Sequence, residues 1–213
     1  MCLPPWAKAV PNPTQGIMHT FFQPTLAVER SGTGTLEAWR DLWQAAGFQV
    51  RVLTLEDAKA APDFEEFSRR VQNNVPLGRN PEYEYFCYAR YVAMAQVGGG
   101  FMSDYDTAPA HLLPDVELPH GGRFTVFEGF VPALMSGTQE EWRRMAKRLL
   151  ETGEVQGEKY AFKDGAKILF SDMFAMKVLQ ESGAKDEHFN SEHLVPGANK
   201  IFGDLENCDT WMQ

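Results

Sequence analysis

Residues 82–106 read EYEYFCYARYVAMAQVGGGFMSDYD, and this stretch decides the fold. Its first part is aromatic almost all round, with Tyr85, Phe86, Tyr88 and Tyr91, and it predicts a helix from Glu82 to Val97 that is buried on more than one side. Gly98-Gly99-Gly100 breaks that helix. Phe101-Met102-Ser103 then predicts a short apolar strand, ended by the turn Asp104-Tyr105-Asp106.

Working outward, Gly16–Gln23 (GIMHTFFQ) is apolar and β-prone and predicts the first strand. Ser31–Gly34 predicts a loop. Leu36, Trp39, Leu42, Trp43 and Ala46 recur at helical spacing until Gly47. Gln49–Leu53 alternates as a second strand. Thr54-Leu55-Glu56-Asp57 has capping-box spacing and starts a short helix, and Asp63 opens another to about Asn73. Downstream, Gly122–Glu128 and Val131–Met135 predict two strands, and Thr138-Gln139-Glu140-Glu141 caps a helix through Glu151. Ile168–Phe170 predicts a strand or the approach to a helix over Ser171–Ser182, closed by Gly183. Strands alternating with helices predict an α/β fold, a mixed central sheet flanked by helices. Residues 1–213 are expected to form one domain, with 1–15 as an extended, Pro-rich lead-in.

Composition narrows the function. The chain has 213 residues, of which 44% are hydrophobic and 23% charged, an ordinary globular balance. No apolar run approaches the ~18 residues of a membrane span, so no integral membrane segment is expected. The first residues lack the basic flank and apolar core of a signal peptide. The three cysteines, Cys2, Cys87 and Cys208, are scattered, which argues for a reducing, cytoplasmic location and against a disulfide framework or zinc site. A net charge of −9 argues against nucleic acid as a partner, because such binding needs clustered cations. A phosphorylated ligand stays compatible with an acidic chain when a metal ion brings positive charge.

Asp104 and Asp106 lie just past a predicted strand, where open α/β sheets bind ligands. Two carboxylates on one turn can both reach a hard divalent cation such as Mg²⁺ or Mn²⁺, which completes its shell with water and phosphate oxygens. An isolated Asp-x-Asp also occurs as an acidic surface turn. Arg90, embedded in the aromatic helix, needs a partner for its charge. That partner is either Glu84, an acid elsewhere in the fold, or a ligand in the cleft of the acid pair.

Arg90-Tyr91, a spacer ending in glycines, a short strand and Asp104-x-Asp106 together resemble the sugar-binding region of family 32 glycosyltransferases and their relatives. Gly16–Phe22 is similar to that family's first strand. Leu36–Trp39 and Gly47–Thr54 are similar to its first helix and second strand, and Phe124–Ser136 to the strands after the acid pair. The resemblance covers about residues 16–150. It implies a GT-A (Rossmann-like) fold and metal-dependent transfer of a sugar, with retention, from a nucleotide-sugar donor, a UDP-sugar first. The acceptor would be an unspecified glycan, lipid or protein. It implies Asp106 as a direct metal ligand, with Asp104 on the donor's ribose or sugar hydroxyls and on the metal through water. Thr20, Phe22, Arg90, Ser103 and Tyr105 would complete the donor site, with Phe22 stacked on the base. A late histidine, His193 or His188, would supply a third metal ligand. Were the reaction inverting, Glu128 or Asp172 would be the acceptor's base; each also suits a surface or cap role. Two departures stand out. Cys87 occupies the place where the family carries an aspartate that contacts the sugar, and the glycine-to-Asp spacing is one residue longer.

Two alternatives stay open. Asp104-Tyr105-Asp106-Thr107 also matches the nucleophile motif of haloacid-dehalogenase-like phosphatases. In that reading Ser171, Lys185, and Asp204 with Asp209 would be the later motifs. About a hundred patterned residues before the motif, and a chain ending soon after Asp209, argue against it. The other alternative is a non-catalytic relative that binds a nucleotide sugar or a partner without turnover.

Overall fold

The computed structural model describes residues 10–24, 32–78, 80–109, 112–160, 162–163, 166–167, 170–183 and 187–191. The order begins β1 (Ile17–Phe21), α1 (Gly32–Ala45), β2 (Gln49–Leu53), α2 (Leu55–Lys59), α3 (Phe64–Asn74), α4 (Pro81–Gln96) and β3 (Gly99–Ser103). It continues with β4 (Thr125–Val126), β5 (Leu134–Thr138), α5 (Gln139–Tyr160), β6 (Phe162–Lys163), β7 (Ala166–Lys167), α6 (Asp172–Ser182) and β8 (Asn190–Ser191). The main sheet runs β2-β1-β3-β5-β4-β8, and β6 pairs with β7 apart from it. β2, β1 and β3 are parallel, β5 runs against both β3 and β4, and β8 follows β4. The sheet is therefore mixed α/β, with every main-sheet strand but β5 pointing its carboxyl end the same way. Among the described residues no helix is long and apolar enough to cross a membrane.

The core lies on both faces of this sheet. On one, α1 sets Trp39 and Trp43 against Met18, Phe101 and Phe127. On the other, α4 and α5 bring Tyr88, Tyr91, Trp142 and Leu149 together with Met102 and Met135. Each such side chain contributes roughly 1.5–3 kcal/mol of burial free energy or more. α4 is buried from Tyr85 through Ala95 apart from Phe86. It starts where Asn80 accepts the Tyr83 N–H at 3.2 Å and Pro81 occupies the first turn.

The glycines after α4 do more than stop it. Gly99 and Gly100 have φ of +81° and +105°. A Cβ on Gly99 would lie 2.6 Å from the Gln139 nitrogen, and one on Gly100 would lie 1.8 Å from Thr14 Oγ1. Only glycine lets β3 pass so close to α5 and to the incoming chain.

Several boundaries differ from the sequence expectation. Within the lead-in, Val10 pairs with Leu118, and Thr14 Oγ1 donates to the Gly99 carbonyl at 3.1 Å. α1 begins at Gly32, inside the expected loop. β4 shrinks to Thr125–Val126, since His120 and Gly121 turn with positive φ. The strand expected at Val131–Met135 slides to Leu134–Thr138, in register with β3. Thr138 caps α5 through a 3.4 Å bond from the Glu141 N–H, while the Glu141 carboxylate takes the Phe124 N–H instead of closing a box. α5 runs past Glu151 because Gly153 lets it approach Val75 and Tyr88, whose atoms would lie 3.0 and 3.1 Å from an added Cβ.

Candidate functional site

The carboxyl ends of β1 and β3 meet the first half of α4 in a cleft of about 90 Å³. β1 contributes Phe21 and Phe22, followed by Gln23, and the turn after β3 contributes Asp104, Tyr105 and Asp106. From α4 come Tyr83, Phe86, Cys87 and Arg90, which share one face because they are spaced three and four apart. The turn is fixed from several sides. The Asp104 N–H donates to the Ala133 carbonyl at 2.8 Å, and the Thr107 N–H donates to the Asp104 carbonyl at 3.0 Å. Trp39 Nε1 donates to Ser103 Oγ at 2.9 Å, and Trp43 Nε1 donates to the Thr107 carbonyl at 3.0 Å. Tyr105 meets Phe22 edge-on, with ring centroids 5.2 Å apart.

Arg90 organises the floor. Its Nη1 donates to Asp104 Oδ1 at 2.6 Å, while Nε and Nη2 both donate to Asp172 Oδ2, the former at 3.1 Å. Asp172 comes from the first turn of α6 and is 2% exposed. Its Oδ2 also accepts the Tyr91 hydroxyl at 2.9 Å, and its Oδ1 accepts the Met173 N–H at 2.8 Å. Burial alone would lower the Arg90 pKa, but Asp172 and Asp104 outweigh it and hold the guanidinium charged. Burial pushes the Asp104 carboxyl up from its ordinary value; Arg90 opposes this, and the charges of Asp172 and Asp106 add to it. Burial also pushes the Cys87 thiol up, so it faces the cleft as a neutral group. The Tyr83 phenol is raised by Cys87 and by burial.

Of the residues expected at a donor site, Phe22, Arg90, Asp104, Tyr105 and Asp106 line this cleft together. Thr20 and Ser103 do not: both are fully buried, and Ser103 serves Trp39. Glu128 is exposed and lies outside the cleft lining. Asp172 does not line the cleft either, and its oxygens are taken by Arg90, Tyr91 and a backbone N–H. Glu84 is not the partner of Arg90; it accepts the Gly78 N–H at 2.5 Å. His188 lies by β8, with its carbonyl bonded to Arg144. His193, Lys185, Asp204 and Asp209 lie outside the described residues. Asp172 is the acid elsewhere in the fold that the sequence offered as a partner for Arg90 without naming it, because residues 82 apart carry no local signal. Tyr83 and Phe86 join Arg90 at the cleft without having been expected there, although their spacing of three and four along α4 is the signal that would have found them.

Among the described residues, no group of three or more His, Cys, Asp and Glu gathers as a metal cluster. The acid pair still fits a hard divalent ion in kind. Two carboxylates are supplied, Asp104 keeps Oδ2 free of Arg90 and is 34% open at its side chain, and Asp106 is exposed. Mg²⁺ and Mn²⁺ sites with few protein ligands rely on water and phosphate oxygens for the remainder.

In comparison with known proteins, no family model, no curated protein and no solved structure matches the chain.

Proposed function

We propose that the chain is a metal-dependent glycosyltransferase that moves a sugar from a nucleotide-sugar donor, a UDP-sugar first, to a hydroxyl acceptor. One observation carries this reading. Asp104 and Asp106 sit on the turn after a parallel strand, in one cleft with a charged, buried arginine and the aromatic end of the next parallel strand. Ligands of α/β sheets bind outside such strand ends. A mixed sheet with a reversed β5 beside β3 agrees with the GT-A architecture that the sequence resemblance implies.

In this reading Asp106 and the oxygen of Asp104 not bonded to Arg90 would hold Mn²⁺ or Mg²⁺, which would supply positive charge to neutralise a diphosphate leaving group. Asp104 also accepts from donor hydroxyls. Arg90 fixes the Asp104 carboxylate in direction and offsets its charge. Phe22 is 7% exposed and packs into the core with its ring edge-on to Tyr105, so it shapes the cleft wall rather than presenting an open face to the base. Asp172 acts through Arg90 as a positioning residue. Neither it nor Glu128 serves as the acceptor's base, and retention requires none at these positions. The cleft of about 90 Å³ takes the ion and its waters, and the donor extends outward over Phe21, Phe22 and Phe86.

A thermal-shift screen of nucleotide sugars with and without Mn²⁺ tests the reading. A ligand at 100 times its Kd adds about 2.7 kcal/mol of apparent stability. A Mn²⁺-dependent shift with at least one nucleotide sugar is expected. No shift with any of them, or shifts unchanged by chelator, would contradict it.

A further inference from the structure

Phe86 has two sides. One lines the acid-pair cleft, and the other lines a second, larger groove of about 440 Å³ toward the end of β2. Binding sites for small ligands commonly span about 300–1,000 Å³, so the second groove is of ligand size and the first is not. The Phe86 ring is half-buried and packed between Phe21 (6.3 Å, 42°) and Tyr85 (5.7 Å, 54°). It borders both spaces, which therefore adjoin at this residue.

Resting on the transferase reading above, we propose that this groove is the acceptor subsite and that it takes a neutral oligosaccharide. Its surface pairs aromatic and apolar walls (Tyr85, Phe86, Pro81 and Leu77) with a polar rim of Gln72 and Glu82. A sugar presents the complement: an apolar C–H face that lies on an aromatic ring, and hydroxyls that donate at its edge. The rim offers acceptors. Glu82 is exposed at the start of α4, and Gln72 gives its Nε2 to Ser68 Oγ at 2.9 Å, which leaves its Oε1 to accept. Glu82 is negative, so an anionic occupant would meet like charge at the rim. A donor phosphate therefore stays on the acid-pair side of Phe86, where a metal can meet it, and an acceptor hydroxyl approaches from the other.

The test is a chemical-shift titration of the ¹⁵N-labelled full chain with maltose, cellobiose and lactose at millimolar concentration, free and with UDP–Mg²⁺ bound. The expected result is that one disaccharide moves the amides of Leu77, Glu82, Tyr85 and Phe86, and still does so with UDP–Mg²⁺ present. Glu82→Gln and Gln72→Ala, both at exposed helix positions, should each weaken that binding roughly fivefold, the scale of one hydrogen bond. Three results would overturn the proposal: no disaccharide moves these amides, UDP–Mg²⁺ alone moves those of Leu77 and Glu82, which line the groove and not the cleft, or both variants bind like the wild type. Groove shifts without metal-dependent UDP binding would sustain the sugar site and sink the transferase reading. UDP binding without groove shifts would do the reverse.

Discussion

Arg90 and Asp172 stand 82 residues apart in sequence and share two hydrogen bonds in the interior, from Nε and Nη2 to a single carboxylate oxygen. The same guanidinium reaches outward through Nη1 to Asp104 at the cleft. One buried cation thus ties α6 to the turn after β3. Because burying either charge alone is costly, each holds the other in place.

Arg90→Met keeps much of the apolar stem but strands the Asp172 carboxylate. The expected loss is roughly 3–5 kcal/mol of stability, read from urea denaturation. A loss within about 0.5 kcal/mol, the scale of an ordinary surface substitution, would mean that the pair contributes little.

A double-mutant cycle isolates the pair. Asp172→Leu alone leaves Arg90 with only Asp104, and Arg90→Met alone leaves Asp172 charged and unmatched. The double variant removes both charges, so its cost should fall short of the sum of the singles by roughly 1–3 kcal/mol. Additive losses would show the two residues to be energetically independent.

Gly100→Ala places a Cβ 1.8 Å from Thr14 Oγ1 at a φ of +105°. The expected cost is at least about 2 kcal/mol in chemical denaturation. Adding Thr14→Ala should recover only part of it, since the strained backbone remains. Full recovery would show that only the clash mattered.

His19 is fully buried, with Nδ1 on the Phe101 carbonyl at 2.9 Å and Nε2 without a partner among the described residues. Burial lowers its pKa from 6.5 to about 4. The unfolded chain therefore takes up a proton between those values that the folded chain refuses. The His19 contribution is full above about pH 6.5 and is lost as the pH falls toward 4, by about 3 kcal/mol in all. Subtracting the stability profile of His19→Asn from that of the wild type should isolate this slope. A flat difference across the window would contradict the neutral, buried imidazole.

The stretch 82–106 made the helix, the glycine break, the strand and the acid turn legible, because each is written in local periodicity or in glycine. The partner of Arg90 was not, because Asp172 reads locally as an α6 first-turn acid, and only tertiary packing turns it inward. Ser103 and Thr20 were expected at the site from the family resemblance. The side-chain alternation of a strand instead sends Ser103 beneath the cleft toward Trp39. The length of α5 was underread for a related reason, since Gly153 signals a stop locally but is used for close packing.

The most direct test of the central claim is calorimetric titration of UDP into the full chain with Mn²⁺ or with EDTA, in the wild type and in Asp106→Asn. Asp106 is exposed, so the swap should leave the denaturation midpoint in place while removing a charge that a hard cation needs. The account predicts UDP binding at least about tenfold tighter with Mn²⁺, a gain of about 1.4 kcal/mol, that disappears in Asp106→Asn. Equal affinity in Mn²⁺ and EDTA, or a folded Asp106→Asn that binds UDP–Mn²⁺ as the wild type does, would contradict it.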